Sequence, residues 1–277
     1  FFWVRLCYQN FAMKLLSYLI FGIWTIKKIV SFQSTIQILY LRIKKNFFMK
    51  LFIEHLKLSE TDKFDKTLLN FDRRLYIHKL PKSNKKKWIP SKVLNKKTVL
   101  IIGNSPEIKE NLYAIENFIK RENPIVFGLN TQKSINEKLI NYRVVCNLFR
   151  LLTDKQKYKF IKKPLILPFE RLNKNILKYL KKNKLLNFDL QVIPGEFKFK
   201  KDLVICPNSL VVSYTLAIAA SGNASNIVLA GFNGYDLDDP RHLDMELTFS
   251  IFNSKSKIQI SSITPTKYKI KANFLHV

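Results

Sequence analysis

The fold is decided by "TVLIIGNSPEIKENLYAIENFIKRENPIVFGLN", residues 98–130. A short β-branched run ends at Gly103, apolar residues at helical spacing follow, and a second apolar run closes the stretch. A buried strand, a helix and another buried strand, in this order, form the repeating unit of parallel sheets. Ser105 suits the N-cap of the helix and Pro106 suits its first position, so we predict a helix over residues 105–123.

The same alternation continues to the end of the chain. Residues 209–222 form a mostly apolar segment that predicts a helix ending at Gly222, which suits the left-handed position after a helix. Apolar runs that predict strands occupy residues 98–103, 124–130, 142–147, 164–168, 190–194, 202–206, 226–232 and 257–264. This alternation predicts an α/β, Rossmann-like domain over residues 98–277, with a doubly wound, mostly parallel sheet that helices cover on both faces.

The upstream part of the chain has another character. Residues 1–48 are basic and apolar, and three interpretations stay open: a non-native or misplaced start with the natural one at Met49, a remnant of an upstream domain, or peripheral membrane contact through residues 11–30. The apolar core of that segment is shorter than the roughly 20 residues of a spanning helix. Residues 49–97 predict an amphipathic helix and a Lys-rich linker, so the domain is expected to follow a helical N-terminal extension.

Composition narrows the classes of partner. The formal net charge is +28, which favours nucleic acid, an anionic membrane surface or a phosphorylated ligand. Lys predominates over Arg and no zinc-finger or RNP-type motif is present, so we expect no nucleic-acid partner. Cys7, Cys146 and Cys206 have neither metal-ligand spacing nor a disulfide framework. They predict reduced thiols, with Cys146 and Cys206 in strands, in a cytoplasmic or membrane-peripheral protein.

Doubly wound sheets bind ligands outside the carboxyl ends of their strands, where the strand order reverses. Gly103, Asn104 and Ser105 follow the first strand and precede a helix, which is the pattern of a phosphate cradle. Glu107 would repel a phosphate there, so a tight turn without a ligand is the alternative. The other strand-end candidates are Asn130, Thr131 and Gln132 for a base or ribose, Asn208 and Ser209, and Gly231 and Gly234. For these residues the alternatives are turn chemistry and helix capping, without a ligand.

An acidic turn, "GFNGYDLDDPRHLDME" at residues 231–246, stands out in this basic chain. Asp239 can serve as the N-cap of the helix that follows. Asp236 and Asp238 could bind sugar hydroxyls or a divalent metal with a phosphate, because clustered carboxylates repel one another unless something binds them. His242 would lie on the first turn of the helix, as a proton acceptor or simply as a surface residue.

These segments carry a resemblance to a known family. With "VLIIGNSPEIKENLYAIENFIKRENPIVFGLN", "NYRVVCNLFRLL", "NSLVVSYTLAIAASGNASNIVLAGFNGYDLDDPRHLDME" and "SITPTKYKI", residues 98–277 resemble the C-terminal domain of 4-hydroxy-2-oxovalerate aldolase-like proteins from bacterial surface-polysaccharide gene clusters. In that family a TIM barrel of about 200 residues or more precedes the domain, and residues 1–97 are too few to form one. The resemblance therefore implies a fragment or a stand-alone domain without aldolase activity, with an aldolase barrel as a possible partner.

A more distant resemblance concerns the same turns. "IIGNSPEIK", "LN" at 129–130 and "YTLAIAASGNASNIVLAGFNGY" are similar to bacterial CMP-sialic-acid-dependent sialyltransferases. That resemblance implies a cytidine nucleotide bound by Gly103, Asn104, Ser105 and Asn130, and a His base that works without a metal.

The sequence thus predicts a nucleotide- or nucleotide-sugar-binding domain of a surface-polysaccharide pathway, with a glycosyltransferase-type site. CMP or another nucleotide is the expected ligand, and His242, Asp236 and Asp238 are the candidate catalytic residues. The alternative is a non-catalytic accessory domain. An exposed apolar face on the sheet or on the helix at residues 209–221, together with a turn at residues 103–105 that is too tight for a phosphate, would be diagnostic of it.

Overall fold

The computed structural model describes residues 87–147, 151, 154–172, 177–178, 180, 182–237 and 239–272. The described residues belong to one compact unit. The expectations for residues 1–48, and those for residues 49–97 up to residue 86, lie outside the described residues. Cys7 and Asp238 also lie outside them.

Residues 98–272 form eleven described strands in two sheets. In chain order the strands are β1 (Thr98–Ile102), β2 (Ile125–Leu129), β3 (Tyr142–Val144), β4 (Leu165–Leu167), β5 (Leu185–Asn187), β6 (Asp189–Val192), β7 (Lys198–Phe199), β8 (Leu203–Cys206), β9 (Asn226–Ala230), β10 (Gln259–Ser262) and β11 (Lys271–Ala272). The larger sheet has eight strands in the order β11-β10-β9-β1-β2-β3-β4-β5, and its pairs are all parallel.

Helices connect these strands. The described helices used below are α1 (Ser91–Leu94), α2 (Glu107–Glu110), α3 (Leu112–Glu122), α4 (Lys155–Tyr158), α5 (Val211–Ser221) and α6 (Pro240–Lys255). None of the helices in the described part of the chain is both long enough and apolar enough to cross a membrane.

Both faces of the larger sheet are buried, as β1 demonstrates. Val99 and Ile101 belong to one apolar cluster, which also contains the buried residues of α5. Leu100 and Ile102 belong to a second cluster, which contains Ile115 of α3. Successive side chains of a strand point to opposite faces, so the continuous apolar run of β1 supplies both clusters. The predicted Rossmann-like, doubly wound α/β fold is confirmed.

A smaller sheet corrects part of the predicted topology. The runs at residues 190–194 and 202–206 form β6 and β8 of a three-stranded sheet in the order β6-β8-β7, outside the larger sheet. Phe188 alone separates β5 from β6. Asp189, the residue directly after Phe188, forms a buried ion pair with Arg171, in which Nε of Arg171 is 2.6 Å from Oδ1 of Asp189. The polar pair anchors the chain where it leaves one sheet and enters the other.

The helix predicted for residues 105–123 is broken into α2 and α3. Asn111 lies at the break, and its side-chain amide donates to the carbonyl of Glu107 at 2.9 Å. The N-cap of α2 is Pro106, not Ser105, and no side chain caps it. The Ser105 hydroxyl instead donates to Oδ1 of Asn233 at 2.7 Å, which ties the turn after β1 to the turn after β9.

Two further local predictions were wrong. The left-handed residue after α5 is Asn223, with φ 56°, whereas Gly222 has φ −82°. Glycine is required at 222 because a Cβ there would lie 2.6 Å from Cδ1 of Leu94. Cys146 lies beyond the end of β3, whereas Cys206 is in β8 as expected; both are buried free thiols.

Candidate functional site

A cleft opens at the point where the strand order reverses. The chain runs from β1 to β2 on one side, while β9, the neighbour of β1 on the other side, continues to β10. Connections that leave two adjacent parallel strands in opposite directions create a crevice outside their carboxyl ends. A cavity of about 720 Å³ lies there.

The turns after β1, β2 and β9 meet at this cleft. The candidate residues that line it are Gly103, Asn104, Ser105, Asn130, Thr131, Gln132, Gly231 and Gly234. Four candidates do not line it: Asn208, Ser209, Asp236 and His242. Gly103, Asn130 and Gly231, which follow three neighbouring parallel strands, therefore share one crevice.

One side of the cleft, which we call the β1 wall, consists of residues 103–107 and 231–235. Three of its backbone amides donate within the protein. The amide of Gly103 donates to the carbonyl of Ala230 at 2.8 Å, and the amide of Ser105 donates to the carbonyl of Gly231 at 3.3 Å. The amide of Gly231 donates to Oγ1 of Thr264 at 2.9 Å. These three amides are therefore not available to a ligand.

The glycines of the β1 wall are explained by packing. A Cβ at Gly103 would lie 2.3 Å from the carbonyl oxygen of Gly231, and a Cβ at Gly231 would lie 2.3 Å from Cδ1 of Ile108. Gly231 also has φ 76°, which side-chain-bearing residues rarely adopt. The two turns approach each other so closely that neither position accepts a side chain.

The opposite side, which we call the β2 wall, consists of residues 130–133 with Asp154 and Lys157. Asn130 is left-handed, with φ 52°, and its Oδ1 is buried without a hydrogen-bond partner among the described residues. Gln132 is 7% exposed; its Oε1 accepts from the amide of Ser134 at 2.7 Å, which fixes the orientation of the group. Its Nε2 has no partner within the described part of the chain. Two residues of the β2 wall therefore contain a buried unpaired acceptor and a buried unpaired donor.

A buried arginine supports this wall from below. The guanidinium of Arg143, in β3, donates to the carbonyl of Gln132 at 2.8 Å and to that of Asn130 at 3.4 Å, and it pairs with the carboxylate of Glu137. A Cβ at Gly128 would lie 3.0 Å from Nη1 of Arg143, so glycine in β2 leaves room for the guanidinium. Arg143 thereby fixes the loop that carries the unpaired groups.

Sequence reasoning missed Asp154 and Lys157. Asp154 is buried; its Oδ2 accepts from the hydroxyl of Thr131 at 2.8 Å, and its Oδ1 lies 2.7 Å from Nζ of Lys157. Their position in the sequence could have indicated them, because both residues follow β3, and β3 is the neighbour of β2 in the sheet. The site residues predicted from the sequence lie in the turns after β1, β2, β8 and β9, and none of them lies in the segment after β3.

His242 lies behind the cleft lining. It is 6% exposed, its Nδ1 is 3.1 Å from the carbonyl oxygen of Tyr235, and its Nε2 is 3.9 Å from a carboxylate oxygen of Glu246. Its ring stacks on Tyr268, with centroids 5.2 Å apart, and Tyr268 lines the cleft. Burial raises the pKa of Tyr268 to about 12. Of this stacked pair of rings, Tyr268 and not His242 lines the cleft.

The acidic turn points to the solvent. The side chain of Asp236 is 84% exposed and its Oδ1 is 2.8 Å from Nζ of Lys267, whose hydrogen bond lowers the pKa of Asp236. No group of three or more His, Cys, Asp or Glu side chains among the described residues could hold a metal ion. Asp236 therefore forms a surface ion pair.

Asn208 has a structural role. Its amide donates to the hydroxyl of Thr248 at 2.9 Å, and its Oδ1 accepts from the hydroxyl of Ser213 at 2.5 Å and from the amide of Leu210 at 3.2 Å. These bonds join the start of α5 to α6. The carbonyl of Ser209 accepts from Sγ of Cys146 at 3.3 Å.

Comparison of the chain with protein-family models, with curated proteins and with solved structures gave no match.

Proposed function

We propose that the cleft binds a nucleotide or a nucleotide sugar, and that the protein serves a bacterial surface-polysaccharide pathway, as its resemblances imply. One observation carries the proposal. The turns after β1, β2 and β9 line a single cavity at the strand-order reversal, and two of its lining residues, Asn130 and Gln132, keep unpaired polar atoms. Nucleotides bind at this position in doubly wound sheets.

The size and chemistry of the cleft support this ligand class. A volume of about 720 Å³ lies within the range of roughly 300–1,000 Å³ that is typical of small-molecule sites. A buried amide without a partner costs free energy, so a ligand that pairs with Oδ1 of Asn130 and Nε2 of Gln132 gains affinity. A nucleotide offers ribose hydroxyls as donors for Oδ1 of Asn130, and it offers phosphate, ribose and base oxygens as acceptors for Nε2 of Gln132.

The proposed chemistry is glycosyl transfer of the metal-independent type. Hydrogen-bond donors would stabilise the charge that develops on a leaving phosphate. A phenol with a pKa near 12 stays protonated at neutral pH, so Tyr268 would act as a hydrogen-bond donor to the ligand. His242 would become a base only after the ring of Tyr268 moves away, so its proposed role is conditional on that movement.

Titration calorimetry of the full chain with CMP, CDP and UDP tests the proposal. We expect at least one of them to bind, and Asn130→Gly to weaken that binding by roughly 10-fold, the effect of losing one hydrogen bond to a ligand. Glycine at 130 removes the side chain without straining the left-handed backbone. The matched control is Asn223→Gly, which removes the same side chain from a left-handed position outside the cleft. No binding of any of the three nucleotides at millimolar concentration would refute the proposal.

The alternative of an accessory domain has two diagnostic features, and only one of them is missing. A turn at residues 103–105 that is too tight for a phosphate agrees with the amides of Gly103 and Ser105, which donate within the protein. The helix at residues 209–221 was expected to expose an apolar face to a partner such as an aldolase barrel. In α5 the residues from Val212 to Ala219 are all buried, so that face is already covered within the domain.

A further inference from the structure

We infer that the anionic group of the ligand binds at the β2 wall, through Lys157 and Gln132, and not at the turn after β1. This inference rests on the proposed function for its ligand, a phosphorylated small molecule. It reverses the orientation that the sequence predicts, in which residues 103–105 hold the phosphate.

The β1 wall is a poor site for an anion. A phosphate cradle needs free backbone amides at the start of a helix. Here two of the amides of residues 103–107, those of Gly103 and Ser105, donate within the protein, and Pro106 has no N–H, so fewer donors remain for an anion. The carboxylate of Glu107 lines the cleft at the same place and would repel a phosphate. The helix that follows, α2, has only four residues, so its dipole is small.

The β2 wall offers a positioned cation. The side chain of Lys157 is 55% exposed and lines the cleft, while Asp154, which holds its Nζ, is buried. An ammonium has three donor hydrogens, so one bond to Asp154 leaves others for a ligand. Both oxygens of Asp154 are occupied, by Lys157 and by Thr131, so this carboxylate fixes the ammonium.

A buried donor completes the site. Nε2 of Gln132 is unpaired, in a side chain that is 7% exposed and lines the cleft. An anionic oxygen is the strongest acceptor that such a donor can meet. Lys133, the next residue, also lines the cleft and adds a second cation at this wall. Since the two walls differ in charge in this way, the uncharged part of the ligand would face Ser105, Glu107 and Asn233, which can bind hydroxyl groups.

Calorimetry of the full chain with three probes tests the inference: CMP, cytidine and inorganic pyrophosphate. We expect Lys157→Met to weaken the binding of CMP and of pyrophosphate by roughly 10-fold or more, because a charge-assisted contact is lost. The affinity for cytidine should stay unchanged. Lys157→Arg should retain most of the affinity for CMP. Lys120→Met, on the exposed surface of α3, is the matched control. Thermal melting of each variant establishes that it is folded.

Opposite results would assign the phosphate to the β1 wall. In that case Glu107→Gln would strengthen CMP binding and Lys157→Met would leave it unchanged, which overturns the inference. If CMP, CDP and UDP all fail to bind, the nucleotide proposal fails, but pyrophosphate binding that is lost in Lys157→Met would still support the anion site. Pyrophosphate that does not bind, or that binds equally to Lys157→Met, would overturn the inference in that situation.

Discussion

The two walls of the cleft use the same sheet edge in different ways. At the β1 wall, glycines allow two turns to touch, and the amides of Gly103, Ser105 and Gly231 are satisfied by the protein itself. At the β2 wall, polar side chains come from a loop and a short helix, and the side chains of Asn130 and Gln132 keep an unpaired acceptor and donor.

This difference separates packing from binding. A glycine that follows a strand is commonly interpreted as making room for a phosphate, yet here it makes room for another turn of the same chain. Unpaired buried polar atoms are the stronger indication of a ligand where their residues also line a cleft, because folding alone would leave their desolvation uncompensated. The comparison predicts that changes in the β1 wall affect mainly stability, and that changes in the β2 wall affect mainly binding.

The largest expected effect is that of Gly231→Ala on stability. A Cβ at 231 would lie 2.3 Å from Cδ1 of the buried Ile108, and the backbone has φ 76°. Strain and overpacking together should lower the free energy of unfolding by about 3 kcal/mol. Urea denaturation measures the change.

Gly195→Ala is the matched control, because Gly195 has φ 77° but nothing within 4 Å of a Cβ. Gly195→Ala should lower the free energy of unfolding by about 1 kcal/mol, because only the left-handed backbone disfavours alanine there. Equal losses in the two variants would mean that the turns of the β1 wall are not tightly packed, and the contrast between the walls would disappear.

Much of the fold could be predicted from the sequence. Runs such as those of β1, β2 and β9 are apolar throughout because both faces of the sheet are buried, and this leaves an unambiguous signal. The convergence of Gly103, Asn130 and Gly231 followed from the fold class, since the carboxyl ends of neighbouring parallel strands lie at one edge. The fold class and the place of the cleft therefore needed no tertiary information.

The parts that could not be predicted depend on contacts between distant segments. The strand β5 has three residues and gives no periodic signal, and the break at Asn111 comes from one side-chain bond. The burial of His242 depends on stacking against Tyr268, which belongs to the tail of the domain. Asp154 is informative only once its bond to Thr131 is known.

A smaller loss of stability is expected for Arg143→Met, which tests the support of the β2 wall. The change leaves the carbonyl of Gln132 and the carboxylate of Glu137 without their buried partner. Because Glu137 is partly exposed, we expect the free energy of unfolding to fall by about 2 kcal/mol, which is less than the loss for a fully buried pair. Hydrogen exchange should also quicken in residues 130–133.

Glu137→Gln is the control for this change, because an amide oxygen can still accept from the guanidinium. It should cost about 1 kcal/mol or less and leave exchange in residues 130–133 almost unchanged. If Arg143→Met altered neither stability nor exchange, the loop would be held by other contacts and the β2 wall would not depend on Arg143.

The smallest effect at neutral pH concerns Tyr268, whose buried phenol lines the cleft beside His242. Its pKa is about 12 in the folded protein and about 10 in an unfolded chain. The folded pKa is the higher one, so the contribution of the phenol to stability is complete below pH of about 10 and is lost as the pH rises from about 10 to 12. The free energy of unfolding should therefore fall more steeply in this window for the natural chain than for Tyr268→Phe.

Absorbance titrations of the natural chain and of Tyr268→Phe measure the pKa of this phenol directly. Subtracting one titration from the other should show one phenol that ionises near pH 12 in the folded protein and near pH 10 in denaturant. A folded-state difference already centred near pH 10 would mean that water reaches this ring, and the β1 wall would then be as open as the β2 wall.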